Sequence, residues 1–220
     1  MSKYKVTLPK QIRIFVILVI VLVFGFTVWY DSSYFIYLIW NVFLAFLPYL
    51  LSANLLKYSN KEKINKIVLI FGLVFWLLLF PNAPYLASDI IHLGINPLVP
   101  AWLDIFLLFS CAWIGMYLGI YSLFHIEKIL LSFWNKNKTN IAMVLIILLS
   151  SFGIYLGRFL RWNSWDIFFQ PKLILNDIAN IFYKPVSHLD AYITTIIFFI
   201  FITASYYSWK YVNKMTHERV

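Results

Sequence analysis

Residues 67–80 read IVLIFGLVFWLLLF, fourteen apolar residues without a charge, and they run straight into Pro81-Asn82-Ala83-Pro84-Tyr85. A helix apolar on every side belongs either in the centre of a large soluble core or in lipid. The rest of the chain decides between them. Hydrophobic residues make up 62% of the 220 residues and charged residues 12%. A soluble fold of this length cannot hide that much apolar surface, so the bilayer must act as solvent. Working outward, five more apolar runs flank the first, giving spans at about 12–30, 34–56, 67–80, 101–124, 141–156 and 191–209. The expected fold is an all-α membrane protein: a single transmembrane domain over 1–220, built as a six-helix transmembrane bundle.

Charge sets the orientation. Lys3, Lys5, Lys10, Arg13, Lys57, Lys61, Lys63, Lys66, Lys128, Lys136, Lys138, Lys210, Lys214 and Arg219 fall at one set of span ends, fourteen of the eighteen basic residues. Only Arg158, Arg161, Lys172 and Lys184 fall at the other. By the positive-inside rule both termini are cytoplasmic in a multi-pass membrane protein. That bias also accounts for the net charge of +9, so no nucleic-acid partner is expected. The acids Asp31, Asp89, Asp104, Asp166, Asp177 and Asp190 gather at the sparsely basic end, with Glu62, Glu127 and Glu218 opposite. The first run closes on Trp29-Tyr30-Asp31 and carries no small-residue cleavage site, so it reads as a retained helix. A single cysteine, Cys111, excludes an internal disulfide.

The third span is short. Fourteen residues rise about 21 Å against about 30 Å of hydrocarbon. Either the segment after it begins below the outer surface as irregular backbone, or the span starts earlier, at Ile64. The long connection from Gly157 to Asp190 contains Lys172, Asn176, Asn180 and Lys184 at every fourth residue, with Ile174, Ile178, Ile181 and Phe182 on another face. With Pro171 at a first helical position, this is an amphipathic extracytoplasmic helix between the fifth and sixth spans, lying on the leaflet or capping the bundle.

Three polar groups at the outer end carry chemistry. After Pro81 and Pro84, a resumed helix places Asp89 and His92 at i and i+3 on one face, the pairing of a carboxylate with an imidazole that serves proton transfer or a metal. Asn82 and Tyr85 precede them as candidate ligand contacts. Arg158 and Arg161, again three apart, project from the fifth helix's end as a fork for phosphate or carboxylate, with Asn163, Trp165 and Asp166 as neighbouring binding groups and Trp162 as a stacking surface. His188 and Asp190 complete, with Asp89 and His92, a candidate four-ligand site for a divalent metal, the one cofactor this donor set suggests. Each group has a structural reading beside the functional one: an Asx turn, snorkelling arginines in an aromatic belt, a helix cap. Asp104 suits the fourth helix's first turn, and His125 and His217 read as solvated among loop charges.

The segment from Pro81 to Tyr85 with Asp89 and His92, followed by Gly157-Arg158-Phe159 and Arg161-Trp162-Asn163-Ser164-Trp165-Asp166, resembles an uncharacterised bacterial integral membrane family, domain of unknown function 1361. The resemblance covers most of the chain. It implies a multi-pass membrane protein in which the two outer motifs matter together, and it carries over no activity.

Three functions follow from the residues. The first is a membrane enzyme hydrolysing or transferring groups on a lipid-linked or cell-envelope anionic substrate. The second is a transporter or binding protein for a small anion, against which the inner halves of the spans offer no matching polar residues. The third is a structural membrane partner. The lipid bilayer and an anionic lipid or envelope ligand are the expected contacts, and the sequence fixes no oligomeric state.

Overall fold

A computed structural model describes residues 10–30, 36–61, 64–94 and 99–218, with side chains at all of these except 11 and 213–218. Lys3, Lys5, Asp31, Glu62, Lys63 and Arg219, and the side chains of Lys214, His217 and Glu218, lie outside the described residues. The regular elements are all helical: α1 (Lys10–Trp29), α2 (Ile36–Ser59), α3 (Lys66–Leu79), α4 (Ala101–Phe133), α5 (Lys136–Arg158), α6 (Asp166–Phe169), α7 (Pro171–Tyr183) and α8 (Leu189–Glu218). No strand occurs among the described residues. Six helices, α1, α2, α3 with its continuation to His92, α4, α5 and α8, are long and apolar enough to cross a membrane. This is the expected all-helical membrane architecture.

The helix ends differ from the apolar runs for local reasons. The α3 helix starts at Lys66 because the Asn65 side chain accepts the N–H groups of Ile67 (2.9 Å) and Val68 (3.5 Å). Asn135 caps α5 in the same way, accepting from Lys138 N at 3.0 Å, so that helix begins five residues before 141. The α4 helix runs on to Phe133. Its backbone bonds are internal, so leaving lipid does not end it, and Ile126, Ile129 and Leu130 stay buried.

The chain divides into two compact units, residues 1–134 and 135–220. The centre of the first is α4, with 67% of its apolar window buried. Val16, Val19 and Val23 of α1, Leu38, Val42 and Ala45 of α2, and Leu107, Cys111, Ile114 and Leu118 of α4 form one core at helical spacing. Lipid is as apolar as these side chains, so close van der Waals fit, more than exclusion from water, joins the helices.

In the second unit α5 packs along α8, and α7 meets both through Ile181 and the Tyr192 hydroxyl. Ile181 joins Tyr155 and Ala191 in a small core bordered by Phe152, Leu156, Leu160 and Tyr192. The Tyr192 hydroxyl donates to the Ile181 carbonyl at 3.1 Å. Pro171 opens α7 as expected. The apolar face differs from expectation: Ile174 and Ile181 are buried, while Phe182 is 64% exposed beside exposed Leu173 and Leu175. The α7 helix is apolar on two sides, one docked against its own unit and one facing outward.

Candidate functional site

The end of α3 passes into two 3₁₀ segments, Phe80–Asn82 and Pro84–His92. Pro81 and Pro84 supply no N–H, so the α pattern cannot continue through them. The Ala83 N–H instead bonds the Phe80 carbonyl at 3.1 Å, in the i→i+3 manner. Runs of 3₁₀ beyond three or four residues are uncommon because their bonds are poorly aligned. The nine residues of Pro84–His92 persist because α4 holds them. A Cβ on Gly115 would collide with the Ala83 carbonyl oxygen and stand 3.1 Å from Leu86 Cβ, whereas at Gly119 the nearest atoms, on Ala83, Pro84 and Phe80, lie 3.6–3.8 Å away. Gly115 and Gly119, four apart, form the bed on which the segment lies. Their small-xxx-small spacing is a readable sequence signal that the motif reading passed over. The segment's far end is fastened too. Gly94, at φ 75°, donates its N–H to Asp104 Oδ2 at 2.8 Å. Asp104 is therefore a buried tie between loop and helix, beyond the dipole role expected of it.

A 3₁₀ helix has three residues per turn, so positions three apart eclipse. Ala83, Leu86, Asp89 and His92 form such a row; the first three are buried and His92 is half-buried. The expected alignment of Asp89 and His92 is present, and it separates their roles. Asp89 is 0% exposed, and Asn41 Nδ2 donates to its Oδ2 at 3.0 Å. Asn41 lies five residues, about 7.5 Å, inside α2, so the carboxylate is held below that helix's end. The His92 ring meets Tyr37 edge-on at 5.2 Å. Asn82 and Tyr85 are half-buried in the same segment. The Ser88 hydroxyl donates to the Tyr85 carbonyl at 2.6 Å, which gives it a backbone role. Asn41 and Tyr37 escaped the sequence reading because a polar residue near the end of an apolar run carries no mark of its partner.

A second polar network lies deeper in the first unit and corrects two expectations. His125, read as solvated, is 1% exposed, and its Nδ1 lies 2.9 Å from Ser52 Oγ, itself fully buried. Trp76 Nε1 donates to Ser122 Oγ at 2.7 Å, and Ser122 Oγ lies 3.0 Å from Ser52 Oγ and 3.1 Å from the Pro48 carbonyl. Ser52 also reaches the Tyr49 carbonyl at 2.9 Å, and the Tyr49 ring stands 5.5 Å from His125. Each hydroxyl has one proton. When Ser52 spends its own on Tyr49, His125 must carry hydrogen on Nδ1 and donate. The halves of α2 and α4 nearer their basic ends, joined by Trp76 of α3, thus hold matched polar groups where none was expected. Hydropathy placed His125 past the end of its span; the longer α4 brings it back inside.

In the second unit, α5 ends at Arg158, half-buried, and Phe159 is its cap. Arg161 lies beyond the helix at φ 60° and is exposed. The two guanidiniums therefore do not share a helix face, which corrects the expected fork. Arg161 occupies the left-handed position that commonly closes a helix and usually falls to glycine. The chain then reverses, with Trp162 N–H bonded to the Leu156 carbonyl at 3.1 Å. Trp162 Nε1 donates to Asp177 Oδ2 at 2.9 Å, so this ring fastens the loop to α7. Asn163 donates to Asp166 Oδ2 from its backbone N (2.7 Å) and its Nδ2 (3.1 Å). That pair closes the turn into α6, while Trp165 is exposed beside it.

Asp89 and His92 belong to the first unit, and His188 and Asp190 to the second. Among the described residues no group of three or more His, Cys, Asp or Glu side chains could hold a metal ion. Neither unit by itself assembles the expected four donors.

No curated protein and no solved structure matches the chain. A family model described as "Protein of unknown function (DUF1361)" matches residues 40–205, a stretch that takes in Asn41, the 3₁₀ segment, the Ser52–His125 network and the Arg158–Asp166 turn. The chain belongs to the DUF1361 family.

Proposed function

We propose that this protein is an envelope-facing enzyme of a bacterial cell membrane, its basic span ends cytoplasmic, that hydrolyses or transfers a group on a lipid-linked or cell-envelope anionic substrate. The observation that carries the reading is His92, half-exposed, one 3₁₀ turn from a fully buried carboxylate that Asn41 orients. An imidazole so placed takes the proton of an attacking water or hydroxyl and returns it to the leaving group. Asp89, with no surface of its own and held by Asn41, anchors the 3₁₀ turn that carries His92. It is a positioning residue; His92 is the proposed catalytic one. Asn82 and Tyr85, half-buried on the same run of backbone as His92, border the substrate.

The test is phosphate release from lipid-linked phosphates by the purified chain in detergent. A positioned general base contributes on the order of 10²–10⁴-fold, so His92→Ala should lose at least about a hundredfold in kcat, and Asp89→Asn less. Release that survives both substitutions removes the proposal.

A second reading, transport or binding of a small anion, gains from the Trp76–Ser122–Ser52–His125 network, because a transport path needs polar groups deep in the spans as well as at one end. Anion uptake into proteoliposomes that stops with His125→Phe while lipid-linked phosphates remain intact would put this reading first.

A further inference from the structure

The second unit contains a pocket of about 200 Å³ lined by Leu160, Asp177, Asn180, Ile181, Lys184 and His188. Asp177, Asn180 and Lys184 stand at i, i+3 and i+7, so they share the face of α7 and its cap, and His188 arrives from the following 3₁₀ turn, Pro185–His188. At about 30 Å³ per water, the space holds roughly seven waters' worth of ligand, less than a drug-sized site. Leu160 and Ile181 supply its apolar part.

The charges narrow the occupant. A carboxylate in the lining opposes a simple anion, and a lysine opposes a metal cation. A small zwitterion answers both. The carboxylate is also held in place: Trp162 Nε1 donates to Asp177 Oδ2, and a carboxylate accepts further bonds beyond that one. Beside the pocket, Phe182, Tyr183 and Val186 are 64%, 84% and 81% exposed, an apolar border that water disfavours and acyl chains do not.

We propose that this pocket binds the headgroup of an aminophospholipid, its ammonium on Asp177 and its phosphate on Lys184 and His188, with Asn180 between them. The pocket is built from the second unit alone, and the proposal does not depend on the reaction proposed at His92.

The experiment uses the full chain in a nonionic detergent, titrated with short-chain phosphatidylethanolamine, short-chain phosphatidylglycerol, phosphoethanolamine and inorganic phosphate. The readout is tryptophan fluorescence, taken as the difference from Trp162→Phe, because the Trp162 indole touches the pocket's carboxylate. Phosphatidylethanolamine should bind saturably and at least about tenfold more tightly than phosphatidylglycerol or phosphate, the worth of one charge-assisted bond. Asp177→Asn, which retains an oxygen for Trp162, should weaken phosphatidylethanolamine and, by removing a negative charge from the lining, leave phosphatidylglycerol as tight or tighter, so that the preference disappears. Lys184→Gln, at an exposed cap position, should weaken both lipids about tenfold with the fold intact. Equal binding of the two lipids, no saturable binding, or indifference to both substitutions overturns the proposal. Phosphoethanolamine binding as tightly as its lipid also overturns it, by assigning the pocket to a soluble ligand.

Discussion

Replacing Gly115 by alanine tests how the site is built. A Cβ there meets the Ala83 carbonyl oxygen, which is backbone and cannot swing aside, and Leu86 Cβ at 3.1 Å. Overpacking of this kind costs about 1–3 kcal/mol, and a rigid carbonyl places it toward the upper end. Alanine gains about 1 kcal/mol of helix propensity over glycine, so the net loss should be about 1–2 kcal/mol. Gly119 is the internal control, since a Cβ there finds only ordinary contacts at 3.6–3.8 Å. Gly119→Ala should be neutral or stabilising by up to about 1 kcal/mol. The assay is thermal unfolding of the purified chain in detergent, with both variants and wild type measured together. Gly115→Ala should melt several degrees below wild type and Gly119→Ala at or above it. Equal melting of the two variants, or a more stable Gly115→Ala, would refute the claim that Gly115 is the bed of the 3₁₀ segment.

Asn41→Leu leaves the buried Asp89 without a donor it now uses, so stability should fall by about 1–3 kcal/mol, measured by the same melting. The double variant with Asp89→Asn should recover part of the loss, because the charge is gone. Ser52→Ala removes a buried partner of His125 and should cost about 1–2 kcal/mol, whereas a solvated His125 predicts no change. Arg161→Gly relieves a left-handed backbone and should stabilise by up to about 1 kcal/mol in the same melting; a lower melting temperature would show that the arginine side chain, not the backbone, decides this turn.

The spans were legible because lipid demands long apolar runs, and six of them in 220 residues exceed what a soluble core can hide. Their ends were not. The Asn65 and Asn135 caps and the run of α4 to Phe133 depend on backbone bonding, which hydropathy does not see. The alignment of Asp89 with His92 followed from their spacing, since i and i+3 coincide even more closely in the 3₁₀ form than in the α form. Asn41, Ser52 and Ser122 could not be singled out, because a small polar residue in an apolar helix declares itself only through its partner on another helix. Arg161 was misplaced for a different reason: its left-handed backbone belongs to a position where glycine is the usual signal, and arginine gives none.

The central claim is that the His92 end of the third span faces the cell envelope. Labelling by a membrane-impermeant maleimide in intact cells addresses it directly, and the lone native thiol, Cys111, is buried and contributes little background. His92→Cys should label without permeabilisation, and Asn137→Cys, at the basic start of α5, only after it. Labelling of Asn137→Cys in intact cells with protection of His92→Cys would invert the topology and contradict an envelope-facing site.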